Sequence, residues 1–319
     1  MNITTRMFFQ ILTFIRPIRA DFMDDIWESI EQGFRDLLMG GTKNCFKQIV
    51  KLLYQGAHNA GLGGVMSDYL KNSPADIDSG LWSSIQSISQ NSIVPLALTI
   101  VAIVSVSDMF QMVTSGNNMR DFDTSIFFKW IIKTEIALTL VGKSFVFVSL
   151  VFVEGANIAA KAYGYIGDLA SYQNLDAALT EALKDYETYR LLIILGLAFI
   201  TLIAVFGLFV TIIVVLCSRT IEAVMYLSVA PIPMATWMNN EFRQVGNSWA
   251  RGVFALAFQA FFIIIALAFF KSMFNSVITD IVDKKDMVWN MAKMCGYSVA
   301  LIFTILRTGQ ISKTMFSAH

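Results

Sequence analysis

Histidine, cysteine and proline are scarce in this 319-residue chain, with two, three and five residues respectively. So few histidines and cysteines leave little material for common metal sites or for His-based acid–base work. His58 sits in a glycine-rich stretch and His319 is the last residue; a Ser-His-Asp arrangement can be written around His58, but nothing in the sequence places its partners. Cys45, Cys217 and Cys295 are odd in number and widely spaced, which suggests neither a disulfide framework nor a zinc ligand set. They read as small hydrophobes. No glycine-rich loop followed by Lys-Ser/Thr occurs, which argues against a motor ATPase. No catalytic residue, cofactor or metal ligand is expected, and the chain reads as a non-enzyme.

Charge is the other shortage. Asp, Glu, Lys and Arg make up 15% of the chain, against about 25% in a soluble globular protein. The 24 basic and 24 acidic residues cancel, so no overall field draws the chain to nucleic acid or anionic lipid. What fills the space is apolar: 55% hydrophobic residues, 26 of them Phe, and a mean hydropathy of +0.59. These proportions belong to a membrane protein.

The polarity changes near Ser92, which divides a polar N-terminal region, 1–92, from an apolar remainder, 93–319. Met7 to Ile15 is apolar and follows Arg6, yet Arg16, Pro17 and Arg19 stand where a signal peptide would need small neutral residues. The stretch is therefore expected to be retained, and it is too short to cross a bilayer. From Asp24 the residues Ile26, Ile30, Phe34 and Leu37 recur at helical spacing, with Asp24 or Asp25 as N-cap and Gly40-Gly41 as a break. A second amphipathic helix carries Phe46, Ile49, Val50 and Leu53. Gly61, Gly63, Gly64 and Pro74 read as loop, and a third helix begins at Ser79 with Leu81, Ile85 and Ile88 on one face. Such helices suit either the membrane surface or the side of a bundle.

Beyond Ser92 six apolar segments approach the roughly 20 residues needed to span the hydrocarbon core. They are Ile93 to Val113, Ile126 to Val153, Leu191 to Ser218, Ala223 to Met238, Gly252 to Phe270 and Met287 to Leu306. The third has 28 residues without a charge, whereas the sixth is interrupted by Lys293. Long continuous runs, not alternating ones, imply helices. The expected fold is all-α: a polytopic bundle of five or six transmembrane helices preceded by amphipathic ones. Orientation is ambiguous. Basic residues after the first segment favour an outside N-terminus, but Arg243 and Arg251 would then lie outside as well.

Ionisable residues inside apolar runs carry the most information, because a charge at the bilayer centre costs about 2.5–3.5 kcal/mol on insertion scales and usually turns inward. Lys143, with seven uncharged residues before it and ten after, is expected to be a buried charge that either locks the bundle or lines a path. Glu154 lies 11 residues on, about 16 Å along a helix, too far to be its partner. Arg219 and Glu222 are spaced to pair across one turn, as an interfacial clamp or a gate. Lys293 is near enough to its segment's start to snorkel. Pro231 and Pro233 remove two helical hydrogen bonds, giving either a kinked helix or one broken beside a polar pathway. Gly155, Ala156, Ala159 and Ala160 would permit close helix approach.

Several loops carry a resemblance. Ser115-Gly-Asn-Asn-Met-Arg-Asp-Phe-Asp-Thr124 followed by Ile126-Phe-Phe-Lys-Trp130, then Arg219-Thr-Ile-Glu222 leading to Ala230-Pro-Ile-Pro233, Gly246-Asn-Ser-Trp-Ala-Arg251 and Gly309-Gln-Ile-Ser-Lys313 resemble the TrbL-like polytopic conjugal-transfer proteins. These are inner-membrane channel subunits of type IV secretion machines, and the likeness is to those on integrative conjugative elements of Gram-positive bacteria. It runs from Ser79 to His319; residues 1–23 stand outside it. It implies a subunit of the cytoplasmic membrane that oligomerises, joins other membrane subunits and assembly ATPases, contacts lipid, and touches a relaxase-bound single DNA strand in transit. The competing expectation is a secondary transporter of a small solute. Two related halves, common in such transporters, are not evident in this sequence.

Overall fold

In the computed structural model the structure describes residues 3–54, 79–115, 124–166, 175–239, 241–283 and 285–318, with side chains from residue 24 onward except at 54, 115, 126, 164–166, 175–176, 238 and 282. The loop at Gly61, Gly63, Gly64 and Pro74, residues 116–123 of the Ser115–Thr124 stretch, His58 and His319 lie outside the described residues. Those described are helical almost throughout, with no strand among them. In chain order the helices are α1 (Ile3–Tyr54), α2 (Ser79–Ile88), α3 (Val94–Ser115), α4 (Thr124–Gly142), α5 (Ser144–Ile166), α6 (Leu175–Leu183), α7 (Thr188–Ser228), α8 (Pro231–Ala235), α9 (Arg243–Val282) and α10 (Met287–Met315).

Five helical stretches are long and apolar enough to cross a membrane: Ser79–Thr114, Ser144–Tyr163, Thr188–Ser228, Arg243–Ile281 and Met287–Met315. The interrupted last segment is one of them, whereas Ala223 to Met238 is not a separate span. Its first residues extend α7, and the rest folds into the short α8 and a 3-10 turn, Thr236–Met238. The second expected segment is divided at Lys143 into α4 and α5. The backbone bonds Lys143 N to Thr139 O (3.0 Å) and Phe147 N to Lys143 O (3.1 Å) carry the chain through that point without a loop. Large side chains such as Phe199, Ile203 and Phe206 of α7 are exposed, the surface a lipid-facing helix requires.

Two expected boundaries are absent. Helix α1 passes through both Asp24 and Gly40-Gly41, so neither the N-cap nor the break exists and the two amphipathic helices are one. A glycine weakens a helix but does not by itself end it, and a Cβ on Gly41 would stand 3.1 Å from Leu195 of α7, so close packing holds the site. Across Ser92, where the polarity changes, the chain is helical by way of a π turn, Ser89–Ile93. Pro95 follows, which has no N–H and whose ring crowds the carbonyl four residues back; the wider turn relieves that conflict.

Two compact units are present. The first combines Met1–Lys51, Tyr172–Val205 and Phe274–Gly296. Its buried side chains include Phe46 and Ile49 of α1, Leu179 and Leu183 of α6, and Leu191 and Ile194 of α7. Polar ties join its helices: Thr188 donates to Glu31 (3.3 Å), Arg35 donates to the Lys184 carbonyl, and the Met287 N–H donates to the Tyr186 hydroxyl (2.9 Å).

The second combines Leu52–Ser171, Phe206–Met273 and Tyr297–His319. One core runs through it, with Val101 and Val104 of α3, Val141 of α4, Phe145 and Phe152 of α5, Leu227 of α7, Met234 of α8 and Leu256 of α9. Trp82 meets Phe145 edge-on with ring centroids 5.0 Å apart, a geometry adding about 0.5–1.5 kcal/mol beyond burial. The expected close approach of small residues is seen at Gly155, where a Cβ would lie 2.9 Å from the Ala257 carbonyl oxygen of α9.

Candidate functional site

In the second unit, α8 packs against α3, α4 and α5. Pro231 and Pro233 are both buried there. Proline suits a helix's first turn, where N–H groups have no internal partner, and Pro231 opens α8. The pair therefore starts a new short helix instead of bending a long one. Thr236 Oγ1 donates to the Pro233 carbonyl (2.7 Å) and closes it.

Next to α8, α3 and α4 are joined by polar side chains. Ser105 and Asp108 lie one turn apart on α3, and Trp130, Lys133 and Thr134 share a face of α4. Lys133 Nζ donates to both carboxylate oxygens of Asp108, each at 2.7 Å. The Asp108 side chain is 3% exposed and that of Lys133 30%. Trp130 Nε1 donates to the Ser105 carbonyl (2.9 Å), and the Ser105 and Thr134 hydroxyls are 3.0 Å apart. Asn239, fully buried, donates from Nδ2 to Ser107 Oγ (3.4 Å), while its Oδ1 accepts from the Glu241 N–H (2.8 Å). It thereby ties the turn after α8 to α3.

The glycines of the α9 entry make this packing possible. A Cβ on Gly246 would overlap the Trp237 indole and stand 2.8 Å from the Pro233 carbonyl oxygen. One on Gly252 would stand 2.9 Å from the Tyr226 hydroxyl. Ala230-Pro-Ile-Pro233 and Gly246-Asn-Ser-Trp-Ala-Arg251 are thus two halves of one packed joint.

The residues singled out from sequence do not gather at one point. Lys143 is exposed and not buried: it shares an outward face with Val146, Phe147 and Leu150, while Val141, Ser144, Phe145 and Val148 face the core. Glu154 is also exposed. Of these residues Arg219 is the buried one, 5% exposed, and its Nε donates to the Leu256 carbonyl of α9 (3.1 Å). Among the described residues no ion pair joins it to Glu222, which is half-buried. A carbonyl on the facing helix is nearer than a carboxylate one turn along. Lys293 belongs to the first unit and does not simply snorkel; its Nζ is 3.0 Å from Asp280, which also binds Lys285. That contact holds the Lys285 ammonium above its ordinary pKa.

The Asp108–Lys133 pair was not anticipated. Its signal was present all the same: a lone acid in one apolar run and a base in the next. The three cysteines are free thiols, and burial pushes the Cys45 thiol up, which disfavours the reactive thiolate.

Five apolar spans, with ionisable groups tied between helices, define a multi-pass α-helical membrane protein. Compared with known families, residues 61–231 match the family described as TrbL/VirB6 plasmid conjugal transfer like protein. The match covers more than half of the chain, and the chain belongs to this family, whose members are components of conjugal transfer by type IV secretion. It takes in α2 to α7, the Asp108–Lys133 pair and Pro231. No curated protein and no solved structure matches the chain significantly.

Proposed function

We propose that this chain is a non-enzymatic wall subunit of a conjugative secretion channel, set in the bacterial cytoplasmic membrane and supporting passage of a DNA–protein substrate. The family match over residues 61–231 carries the reading. The second unit supports it, since its buried polar groups hold helices together: Asp108 with Lys133, Arg219 with a carbonyl, Asn239 with Ser107. In this reading the subunit oligomerises, joins the other membrane subunits and assembly ATPases of the machine, and contacts the relaxase-bound single strand briefly. Lys143, exposed at the α4–α5 junction, then faces a neighbour or the path.

A mating assay tests this. Deleting the chain should abolish transfer, and a plasmid copy should restore it. Lys143→Leu should insert and melt as the parent does, because exposed substitutions change stability by only about ±0.5 kcal/mol, yet transfer should fall. Undiminished transfer by the deletion strain would end the proposal.

The broken segment from Pro231 to Met238 favours a second reading, a secondary transporter of a small solute, since discontinuous helices often build transport sites. Solute uptake by proteoliposomes containing this chain alone would establish it in place of the first.

A further inference from the structure

Helix α1 leaves a face uncovered. Residues 24–34 are all exposed, yet they are not uniformly polar. Trp27, Ile30, Phe34 and Leu37 follow one another at spacings of three, four and three, the repeat by which one helix packs on another. Trp27 is 63% and Leu37 68% exposed. The flank beside it, about 90° around the same helix, is the one engaged by its own chain, through Glu31, Arg35 and Leu38.

Glycines mark an edge of this seam. Gly33 and Gly40 are seven apart, and a Cβ added at either would meet no atom within 4 Å. Gly41, by contrast, is packed on Leu195. Glycine is among the least favourable residues inside a helix, and nothing among the described residues explains two of them here. An approaching helix does, because glycines at that spacing admit bulky side chains close to the backbone.

The charges select the kind of helix. Asp24 and Glu31 border the seam on one side, Asp25, Glu28 and Asp36 make the rest of this stretch acidic as well, and its one base, Arg35, is turned to the Lys184 carbonyl. Helices that lie on membranes carry Lys and Arg beside their apolar face, so this one is ill-suited to an anionic lipid surface. A second copy would bring carboxylates against carboxylates. We infer that the seam receives an amphipathic helix of a different protein, with a three-four apolar repeat bordered by Lys or Arg and bulky side chains level with Gly33 and Gly40. The inference rests on the proposed function only in placing the chain within a multi-subunit machine.

The test uses the full chain in cells carrying the complete transfer system, with photoreactive benzoylphenylalanine placed at Trp27, Ile30 or Leu37 in turn. The expected result is one shared crosslinked partner from all three positions, identified by peptide mass spectrometry, whose captured segment has the repeat and the basic borders. Gly33→Leu with Gly40→Leu, or Asp24→Lys with Glu31→Gln, should lower the crosslink yield at least about tenfold. Membrane level and melting in detergent should stay unchanged. Crosslinks to a second copy, to lipid alone, to a segment without basic borders, or none at all would overturn the inference. So would a yield indifferent to both double variants. Because the readout is docking, it is independent of transfer: loss of crosslinks beside a transfer-dead deletion sinks this inference alone.

Discussion

Asp108 and Asp280 are both carboxylates held by lysine, one in each compact unit, and they carry different weight. Asp108 is 3% exposed and takes both its bonds from Lys133 across two helices. Asp280 is 19% exposed and binds two lysines, one of them, Lys285, 60% exposed. Water reaches the second carboxylate and much less the first. A buried pair is weak evidence of net stabilisation, but breaking it strands a charge, and the damage is large. An exposed pair contributes about 0–1 kcal/mol however short its bonds. The seam between α3 and α4 is therefore where the fold is most vulnerable to a single atom.

The contrast is broken most directly at Asp108. Asp108→Asn should destabilise the detergent-solubilised protein by about 3 kcal/mol, since it leaves the Lys133 ammonium without its counter-charge. Exchanging the two residues, Asp108→Lys with Lys133→Asp, should recover a substantial part. Melting curves of the three variants measure this, and a silent single substitution would make the pair incidental.

The next effect in size belongs to the joint beside that seam. Gly246→Ala should cost about 1–3 kcal/mol by overpacking against Trp237 and the Pro233 carbonyl. Trp237→Phe in the same chain should relieve part of it, again read by melting. At the other carboxylate, Asp280→Asn should lower the melting temperature far less than Asp108→Asn does, and 1 M salt should shrink the difference. Finally, the raised pKa of Lys285 has a definite sign. Its contribution is complete below the ordinary lysine value and is lost only as pH rises through the higher folded value. Stability attributable to this lysine, as the difference from Lys285→Met, should be flat from neutral to mildly alkaline pH and fall only under strongly basic conditions. A change near neutrality would contradict the assignment.

How much of this was legible in the sequence depends on how local the cause is. Helix α7 is announced by 28 uncharged residues, because spanning is a property of one segment. Ala223 to Met238 is apolar too, yet its first residues end α7 and Pro231–Ala235 packs on α3 and α4, so it forms no separate span; hydropathy measures dislike of water and not what replaces it. The Gly40-Gly41 break misled because Leu195, 154 positions away, fills the space beside Gly41. Arg219 and Glu222 have the spacing of a pair, but the partner of Arg219 lies on α9, where no pattern within one helix can show it. Lys293 looked like an interruption in a weak span because Asp280, which answers its charge, sits on the preceding helix.

The Pro231–Met238 segment has a consequence for the order of assembly. Five helical residues and a single further turn cannot form by themselves, since initiating a helix is unfavourable and so short a run gains little by extension. Most of its shape is imposed by surfaces on α3, α4 and α5, all of which precede it in the chain, and the α9 entry at Gly246 closes the joint afterwards. Synthesis from the N-terminus makes the mould before the part that is cast in it, and a rearranged gene that delivered this segment first would leave it shapeless until the rest arrived.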